Sequence, residues 1–224
     1  MTVRLTTTIS NIEKVVSNHG NVGNLFNFKD IEGSMTSEYN PDIGDREPIT
    51  VMGVDTGWAS SYFAVVIVSW FNQERHVMYA SHFKNPQLNQ MIDLITDLRM
   101  KYMVDKICVD GSDPSFIYAL KEILREWPTD YHNVPKEQYR NMIVDPVPFT
   151  KQQYEFLIHD KVILENNALK MHPKFQDLLI AMKSTYVEGT IFVKEKSANN
   201  DLLDALSECL SKFKSRTVNT LNAS

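Results

Sequence analysis

The sequence is poor in cysteine, lacks an excess of basic residues and has no long apolar run. It has two cysteines among 224 residues, and neither lies in a Cys-x-x-Cys or Cys/His pattern, so no zinc site is expected. No apolar run reaches the roughly 18 residues of a membrane span, and the N-terminus has no signal-sequence core. An intracellular protein with no membrane partner is therefore expected.

The charge balance limits the nucleic-acid-binding classes that the chain can belong to. Its formal net charge is −5 and its pI is about 5.7, whereas proteins that bind free nucleic acid usually have a basic balance. The isolated chain is therefore expected to bind DNA weakly. The sequence also contains no G-x-x-x-x-G-K-[ST] loop, which excludes a P-loop ATPase.

The chain divides into three parts by pattern. Residues 1–47 carry weak periodicity and indicate an N-terminal extension or linker, in which 18–24 has the composition of a loop. Residues 48–214 show strong strand and helix patterns and indicate one domain. The polar residues 215–224 indicate a disordered tail.

The order of the patterned segments predicts a mixed α/β fold. Apolar segments at 49–55, 62–71 and 76–83 are joined by short turns, which predicts an antiparallel three-strand meander. Helices and strands then alternate, which predicts parallel strands and helices on both faces of the sheet. The predicted later elements are helix 88–102, strand 106–110, helix 115–127, strand 142–147, helices 151–165 and 173–184, strand 190–193 and helix 200–213.

Acidic residues stand at the ends of three of these elements. Asp55 ends the first meander strand and is followed by Thr56-Gly57, and Asp110 ends a later strand. Asp201 and Asp204 open the last helix and, three residues apart, share a face. Carboxylates gathered in this way usually bind divalent ions, and hard oxygen ligands without His or Cys favour Mg²⁺ or Mn²⁺.

Each of these acids also has an ordinary explanation. Asp followed by Gly is common turn chemistry, which applies to Asp55 and to Asp110. Asp113 is expected to cap the helix that follows it. Acids in a first helical turn interact favourably with the helix dipole. Asp204, however, lies between leucines at the apolar border of its helix, where a carboxylate needs a partner.

The ordered set of motifs resembles the RNase H-like nuclease superfamily, and in particular the nuclease domain of the large terminase subunit of tailed viruses. The resemblance is carried by the segment Gly53-Val-Asp-Thr-Gly57, by the acid Asp110 and by Asn200-Asp-Leu-Leu-Asp-Ala-Leu206. The flanking segments 21–32 and 144–151 also match, so the resemblance extends over about residues 20–214. The departure is Asn200, where many relatives have His or Asp.

The resemblance implies a metal-dependent endonuclease that cuts double-stranded DNA with little sequence specificity during viral genome packaging. It implies two Mg²⁺ or Mn²⁺ ions, with Asp55 between them. Asp110 would complete one site, and Asp204, with or without Asp201, the other. The implied partners are double-stranded DNA, the terminase ATPase domain, the small terminase subunit and the portal protein, in the host cytoplasm during virus assembly.

Four lysines are candidate contacts to the DNA backbone because they lie on segments expected near the face that holds the acids. Lysine ammonium groups bind phosphate without reading sequence, which suits a nuclease of low specificity. The alternative for each is an ordinary solvated side chain. The four candidates are Lys151, Lys161, Lys194 and Lys196.

Three other interpretations compete with this one. A RuvC-like Holliday-junction resolvase also ends in Asp-x-x-Asp, but the acidic pI and the N-terminal segment disfavour it. An ATPase of the actin and sugar-kinase type also begins with Asp-x-Gly, but it needs a second similar domain for which this chain is too short. A non-catalytic DNA-packaging assembly module would use the acids only in caps and turns.

Overall fold

The structure is a computed structural model that describes residues 22–36, 48–57, 62–125 and 143–212. None of the helices within these ranges is long and apolar enough to cross a membrane. The strands are β1 (Val22–Asn24), β2 (Ile49–Asp55), β3 (Tyr62–Phe71), β4 (Glu74–Lys84), β5 (Lys106–Asp110), β6 (Val144–Val147), β7 (Leu169–Lys170), β8 (Tyr186–Glu188) and β9 (Ile191–Phe192). The helices are α1 (Phe28–Ser34), α2 (Leu88–Tyr102), α3 (Pro114–Arg125), α4 (Phe149–Glu165), α5 (Gln176–Ser184) and α6 (Asn200–Ser211).

Six of the described strands form one mixed sheet in the order β6-β5-β2-β3-β4-β7. The pairs β2–β3 and β3–β4 are antiparallel, which confirms the predicted meander. The pairs β2–β5, β5–β6 and β4–β7 are parallel. The predicted α/β fold, a meander extended by parallel strands, is therefore confirmed.

The strands β2 and β3 of the meander bury both of their faces. Along β2 and β3, alternate side chains enter two separate apolar clusters, as the period of two of a strand requires. One cluster contains α2 and α3, and the other contains α1, α4, α5 and α6. Helices therefore cover both faces, and α6 lies against the centre of one of them.

Helix α6 approaches the sheet so closely that β2 has no room for a side chain at the contact. A Cβ atom at Gly53 would lie 1.9 Å from the carbonyl oxygen of Ala205 and 3.0 Å from the backbone nitrogen of Cys209. The Cys209 thiol donates hydrogen bonds to the carbonyl oxygens of Val51 and Val66, at 3.3 and 3.1 Å. Because Ala205 meets Gly53 and Cys209 meets Val51, α6 runs antiparallel to β2, and its first turn lies at the strand end that carries Asp55.

Both cysteines are buried and unpaired, as the sequence predicts for small core residues. Cys108 lies on β5 and Cys209 on α6, and each belongs to the apolar cluster on the α6 side of the sheet. Burial raises the pKa of both thiols far above the ordinary range. They are therefore inert packing groups.

The described part of the N-terminal segment packs against the core. The predicted loop 18–24 is wrong for its last three residues, Val22–Asn24, which form β1 and pair antiparallel with β8. The backbone of Met35 forms a bridge with Met171, and Ile31 of α1 is buried. A three-residue strand held by backbone hydrogen bonds leaves no side-chain periodicity, which is why the pattern indicated a loop. Separately, the predicted strand at 190–193 is present as β9 in a hairpin with β8.

An ion-pair cluster joins the end of α6 to the parallel edge of the sheet. Asp145 on β6 accepts hydrogen bonds from Lys212, just after α6, and from Lys106 on β5, the latter at 3.3 Å. Burial by itself raises the pKa of Asp145, but Lys212 and then Lys106 outweigh it, so the pKa lies below its ordinary value. The cluster is partly exposed, so it contributes about 1 kcal/mol at most.

We expect Gly53→Ala to destabilise the protein, by about 1–3 kcal/mol or more, because the new methyl group would overlap the α6 backbone. Gly33→Ala is the matched control, since nothing lies within 4 Å of its Cβ position and alanine favours a helix. Urea unfolding of the two variants measures the difference. Equal stability of Gly53→Ala and the wild type would show that the close contact between α6 and β2 is not present.

We expect Asp145→Asn to lower the free energy of unfolding by about 1 kcal/mol or less at pH 7. Because the folded-state pKa of Asp145 is lowered, its contribution is present above the ordinary carboxyl pKa and is lost as the pH falls below about 4. Urea unfolding at pH 7 and below about pH 4 should show that the free energies of unfolding of the two proteins converge in acid. A difference that grows in acid would contradict the ion-pair assignment.

Candidate active site

The strand-end acids lie on neighbouring strands at one edge of the sheet. β2 and β5 are parallel neighbours, with Val54 opposite Val109, so Asp55 and Asp110 follow at the same end of the sheet. Strand alternation places Asp55 on the same face as Gly53, and Asp110 on the same face as Cys108. Both acids are therefore on the face that α6 covers.

The first two turns of α6 bring further carboxylates to this edge. Asp201 is half-buried, and its carboxylate accepts a hydrogen bond from the backbone N–H of Tyr62, at 3.3 Å. Asp204 is 3% exposed, as its place among leucines predicts. Asn199 occupies the N-cap position of α6, but its side chain bonds to the Asp177 carbonyl instead of capping the helix.

The pKa of Asp55 is raised to about 7, because its surroundings disfavour the charged form. Burial is the largest cause, followed by the charge of Asp204 and then that of Asp201, while the Gly57 N–H and Lys194 act in the opposite direction. The Gly57 N–H donates to Asp55 Oδ1 at 3.0 Å, and Gly57 has a positive φ of 60°. The turn therefore fixes this carboxyl group beside other carboxyl groups.

Asp204 has two hydrogen-bond partners that hold its charge in place. Lys194 Nζ lies 3.0 Å from one carboxylate oxygen, and Gln153 Nε2 donates to the other at 2.8 Å. Burial is the largest effect and raises the pKa of Asp204, against Lys194 and Gln153. Burial lowers the pKa of Lys194, but the neighbouring acids, with Asp204 first, outweigh burial and raise the pKa above its ordinary value. This ammonium group therefore stays charged.

Asp110 is engaged by the turn that follows it. Its two oxygens accept hydrogen bonds from the backbone N–H and the hydroxyl of Ser112, at 3.1 and 2.7 Å. The neighbouring Asp113 accepts from the Phe116 N–H at 3.0 Å, which confirms its predicted role as the cap of α3. Any further partner of Asp110 would share these oxygens with Ser112.

The structure adds one acidic residue that the sequence patterns did not single out. Glu208 lies on α6, four residues after Asp204, and is 0% exposed. Its Oε2 accepts a hydrogen bond from the Val54 N–H at 2.9 Å, next to Asp55. Its pKa is raised well above the ordinary value by burial first, then by Asp55, Asp110 and Asp204. The helical spacing places it on the same face as Asp204, but the spacing alone does not show that it is buried.

The acids provide the type of ligand that a hard divalent ion prefers, but the described side chains are not arranged around a common ion position. All are oxygen donors, and Glu208 Oε1 is buried without a hydrogen-bond partner among the described residues. Within the same residues, no group of three His, Cys, Asp or Glu side chains is close enough to hold a metal ion. Asp204 is held by Lys194 and Gln153, and Asp110 by Ser112, so an ion would compete with these partners for the carboxylate oxygens.

The predicted DNA-binding lysines have different surroundings. Lys194 contacts Asp204, and Lys196 forms an ion pair with Glu188 and lies 4.4 Å from the ring centroid of Tyr186. Lys161 lies 3.8 Å from Glu165 on the same helix. The side chain of Lys151 falls outside the described residues. Of the three candidates whose side chains the structure describes, only Lys194 lies among the acids.

Scans of protein-family models and of curated protein sequences give no match to this chain. Solved structures do match. The large terminase nuclease from thermophilic phage G20c aligns with a TM-score of 0.62 at 10% identity, covering 84% of this chain and 98% of that one. The nuclease domain of bacteriophage SPP1 g2p (large terminase), with bound Mn, aligns with a TM-score of 0.54 at 15% identity, covering 80% and 96%.

Full-length large terminases match over part of their length. The bacteriophage HK97 large terminase aligns with a TM-score of 0.61 at 10% identity, covering 86% of this chain and 44% of that one. A large terminase from another thermophilic bacteriophage gives 0.63 at 11% identity, and this chain spans 46% of it. The chain therefore has the fold of the nuclease domain of phage large terminases, and it spans less than half of those longer proteins.

We expect Asp55→Asn to stabilise the protein in EDTA at pH 8, by about 1–3 kcal/mol, because it removes a buried charge from beside Asp204 and Asp201. The amide oxygen can still accept the Gly57 N–H. Asp97→Asn, on the exposed face of α2, is the control and should change little. Thermal unfolding provides the measurement. A loss of stability in Asp55→Asn would indicate that Asp55 has a purely structural role in its turn.

Proposed function

We propose that the protein is a metal-dependent endonuclease that cuts double-stranded DNA during viral genome packaging. One observation carries the proposal. Asp55 and Asp110 end adjacent parallel strands beneath the first turns of α6, which carries Asp204, on the fold of phage large terminase nuclease domains. Two of those nuclease domains have been seen with bound manganese or magnesium.

Four of the acids would together hold two divalent ions. Asp55, next to the acids of α6 and to β5, would contact both ions. Asp110 would serve one ion, and Asp204, with or without Asp201, the other. Bound Mg²⁺ or Mn²⁺ would supply Lewis acidity to activate a water and to stabilise the leaving oxygen of a phosphodiester. No side-chain general base is then required.

Lys194 has a defined place in this arrangement. Its ammonium group forms an ion pair with Asp204 and also interacts electrostatically with Asp55 and Asp201. A divalent ion bound to Asp204 would replace that neutralisation and leave Lys194 available to a DNA phosphate. Lys194 would then exchange its carboxylate partner for a DNA phosphate, a contact that does not depend on sequence.

Lys151, Lys161 and Lys196 are proposed as further contacts to the DNA backbone. Lys161 and Lys196 pair with carboxylates, so their contribution requires exchange of those partners. With a net charge of −5, the chain alone should bind DNA weakly, in a salt-dependent manner and with little sequence preference. We propose that DNA is delivered by other parts of a packaging machine in the host cytoplasm.

The resemblance to full-length large terminases suggests what those other parts are. The chain spans nearly all of the G20c nuclease and less than half of the HK97 large terminase. We propose that it works with a terminase ATPase domain, a small terminase subunit and a portal protein. Whether the ATPase is covalently attached or separate does not alter the chemistry of the nuclease site.

A non-catalytic assembly module is the second candidate, and one observation favours it. Both oxygens of Asp110 are bonded to Ser112, and no set of three metal-binding side chains is assembled among the described residues. In this case the acids would serve turns and caps only. Divalent ions would then neither bind nor stabilise the folded protein, a property that separates the two candidates.

The test is cleavage of a supercoiled plasmid by the purified chain with Mn²⁺, Mg²⁺ or EDTA. We expect nicked and linear products with either metal and none with EDTA. Asp55→Asn and Asp204→Asn should reduce cleavage by about 100-fold or more, because each removes a metal ligand. Asp97→Asn should cut like the wild type. Metal-dependent cutting that survives both active-site substitutions would contradict the proposal.

A further inference from the structure

Glu208 is a buried acid that the proposed mechanism does not use. Asp201, Asp204 and Glu208 follow the spacing i, i+3, i+7, which places them along one face of α6. Along this face the exposure falls towards the interior, from half-buried Asp201 to Asp204 at 3% and Glu208 at 0%. Glu208 is therefore the innermost acid of this row.

Its two carboxyl oxygens have different surroundings. Oε2 accepts the Val54 N–H at 2.9 Å, which fixes the carboxyl group against β2 next to Asp55. Oε1 is buried and has no hydrogen-bond partner among the described residues. The adjacent Ser207 hydroxyl cannot supply one, because its single proton is donated to Asp160. A buried acceptor left unpaired is unfavourable, so such an atom needs an explanation.

The charges around Glu208 are of the same sign. Asp55, Asp110 and Asp204 all act on it, and each raises the pKa of its carboxyl group further after burial. Lys194, whose ammonium group lies among these acids, is bonded to Asp204. A divalent cation would satisfy the free oxygen and offset the repulsion together, which an ordinary core contact would not do.

We propose that Glu208 helps to hold a divalent ion from the buried side of the site, with Oε1 as the contributing atom. The inference rests on the proposed function, because it adds a residue to the same metal site. In this role Oε2 stays on the Val54 N–H and positions the carboxyl group, while Oε1 faces the ion. Glu208 would then be an inner ligand beyond the acids that the sequence motifs indicate.

The alternative is that Glu208 serves only as an acceptor for the Val54 N–H. Glutamine separates the two roles, because its amide oxygen can accept the same N–H bond while its amide nitrogen cannot bind a metal ion. Glu208→Gln should therefore keep the fold and weaken metal binding. Glu32→Gln, at an exposed position of α1, is the matched control.

The experiment is calorimetric titration of Mn²⁺ into the metal-free wild-type chain and into Glu208→Gln, Asp55→Asn and Glu32→Gln. Thermal unfolding in EDTA first verifies that each variant is folded. We expect Glu208→Gln to bind Mn²⁺ at least about 10-fold more weakly than the wild type, a loss that even an outer partner of a metal site can cause. Mn²⁺ should also raise its melting temperature less. Glu32→Gln should match the wild type.

The outcomes separate this inference from the proposed function. If Asp55→Asn loses Mn²⁺ binding while Glu208→Gln binds like the wild type, the metal site stands and the role of Glu208 is overturned. If the wild type binds no Mn²⁺, both fail. Should Glu208→Gln not fold, Glu208→Met replaces it, because its unbranched apolar side chain fills a similar space with no metal-binding oxygen and no oxygen acceptor for the Val54 N–H. Wild-type affinity in that variant would overturn the inference.

Discussion

The contact between α6 and β2 at Gly53 is the constraint on which the candidate site depends. Only a residue without a side chain lets the backbone of Ala205 lie where it does. Asp204 directly precedes Ala205, and Asp201 lies one turn before it. The same contact therefore places the carboxylates of α6 against the end of β2. Any shift of the helix away from the sheet would separate Asp204 from Asp55 and Glu208 from Val54.

The constraint has an electrostatic consequence. Bringing α6 so close removes water from several carboxyl groups at once, and the pKa values of Asp55, Asp204 and Glu208 are all raised for that reason first. Lys194 offsets part of this repulsion through Asp204. One oxygen of Glu208 is buried without a hydrogen-bond partner among the described residues, which is unfavourable in a purely structural element and is a feature of sites that bind a ligand.

Much of the fold could be predicted because its signals are local. The meander strands have apolar runs bounded by turns, and Asp55, Asp110 and Asp204 mark element ends that topology brings together. The short strands β1 and β7 left no periodicity because their pairing is through the backbone. Glu208 could not be identified as a site residue from a helical pattern alone, because its burial depends on how closely α6 approaches at Gly53. The Ser112 contact to Asp110 is also set by turn geometry that the sequence does not state.

A crystal structure of the protein grown with Mn²⁺, with the ions located by their anomalous scattering, tests most directly whether these acids bind metal. We expect manganese at the carboxyl ends of β2 and β5, contacted by Asp55, Asp110, Asp204 and Glu208, with Lys194 displaced from Asp204. A map without manganese at this edge, and with the bond between Lys194 and Asp204 intact, would contradict this expectation. The acids would then be parts of turns and helix ends only.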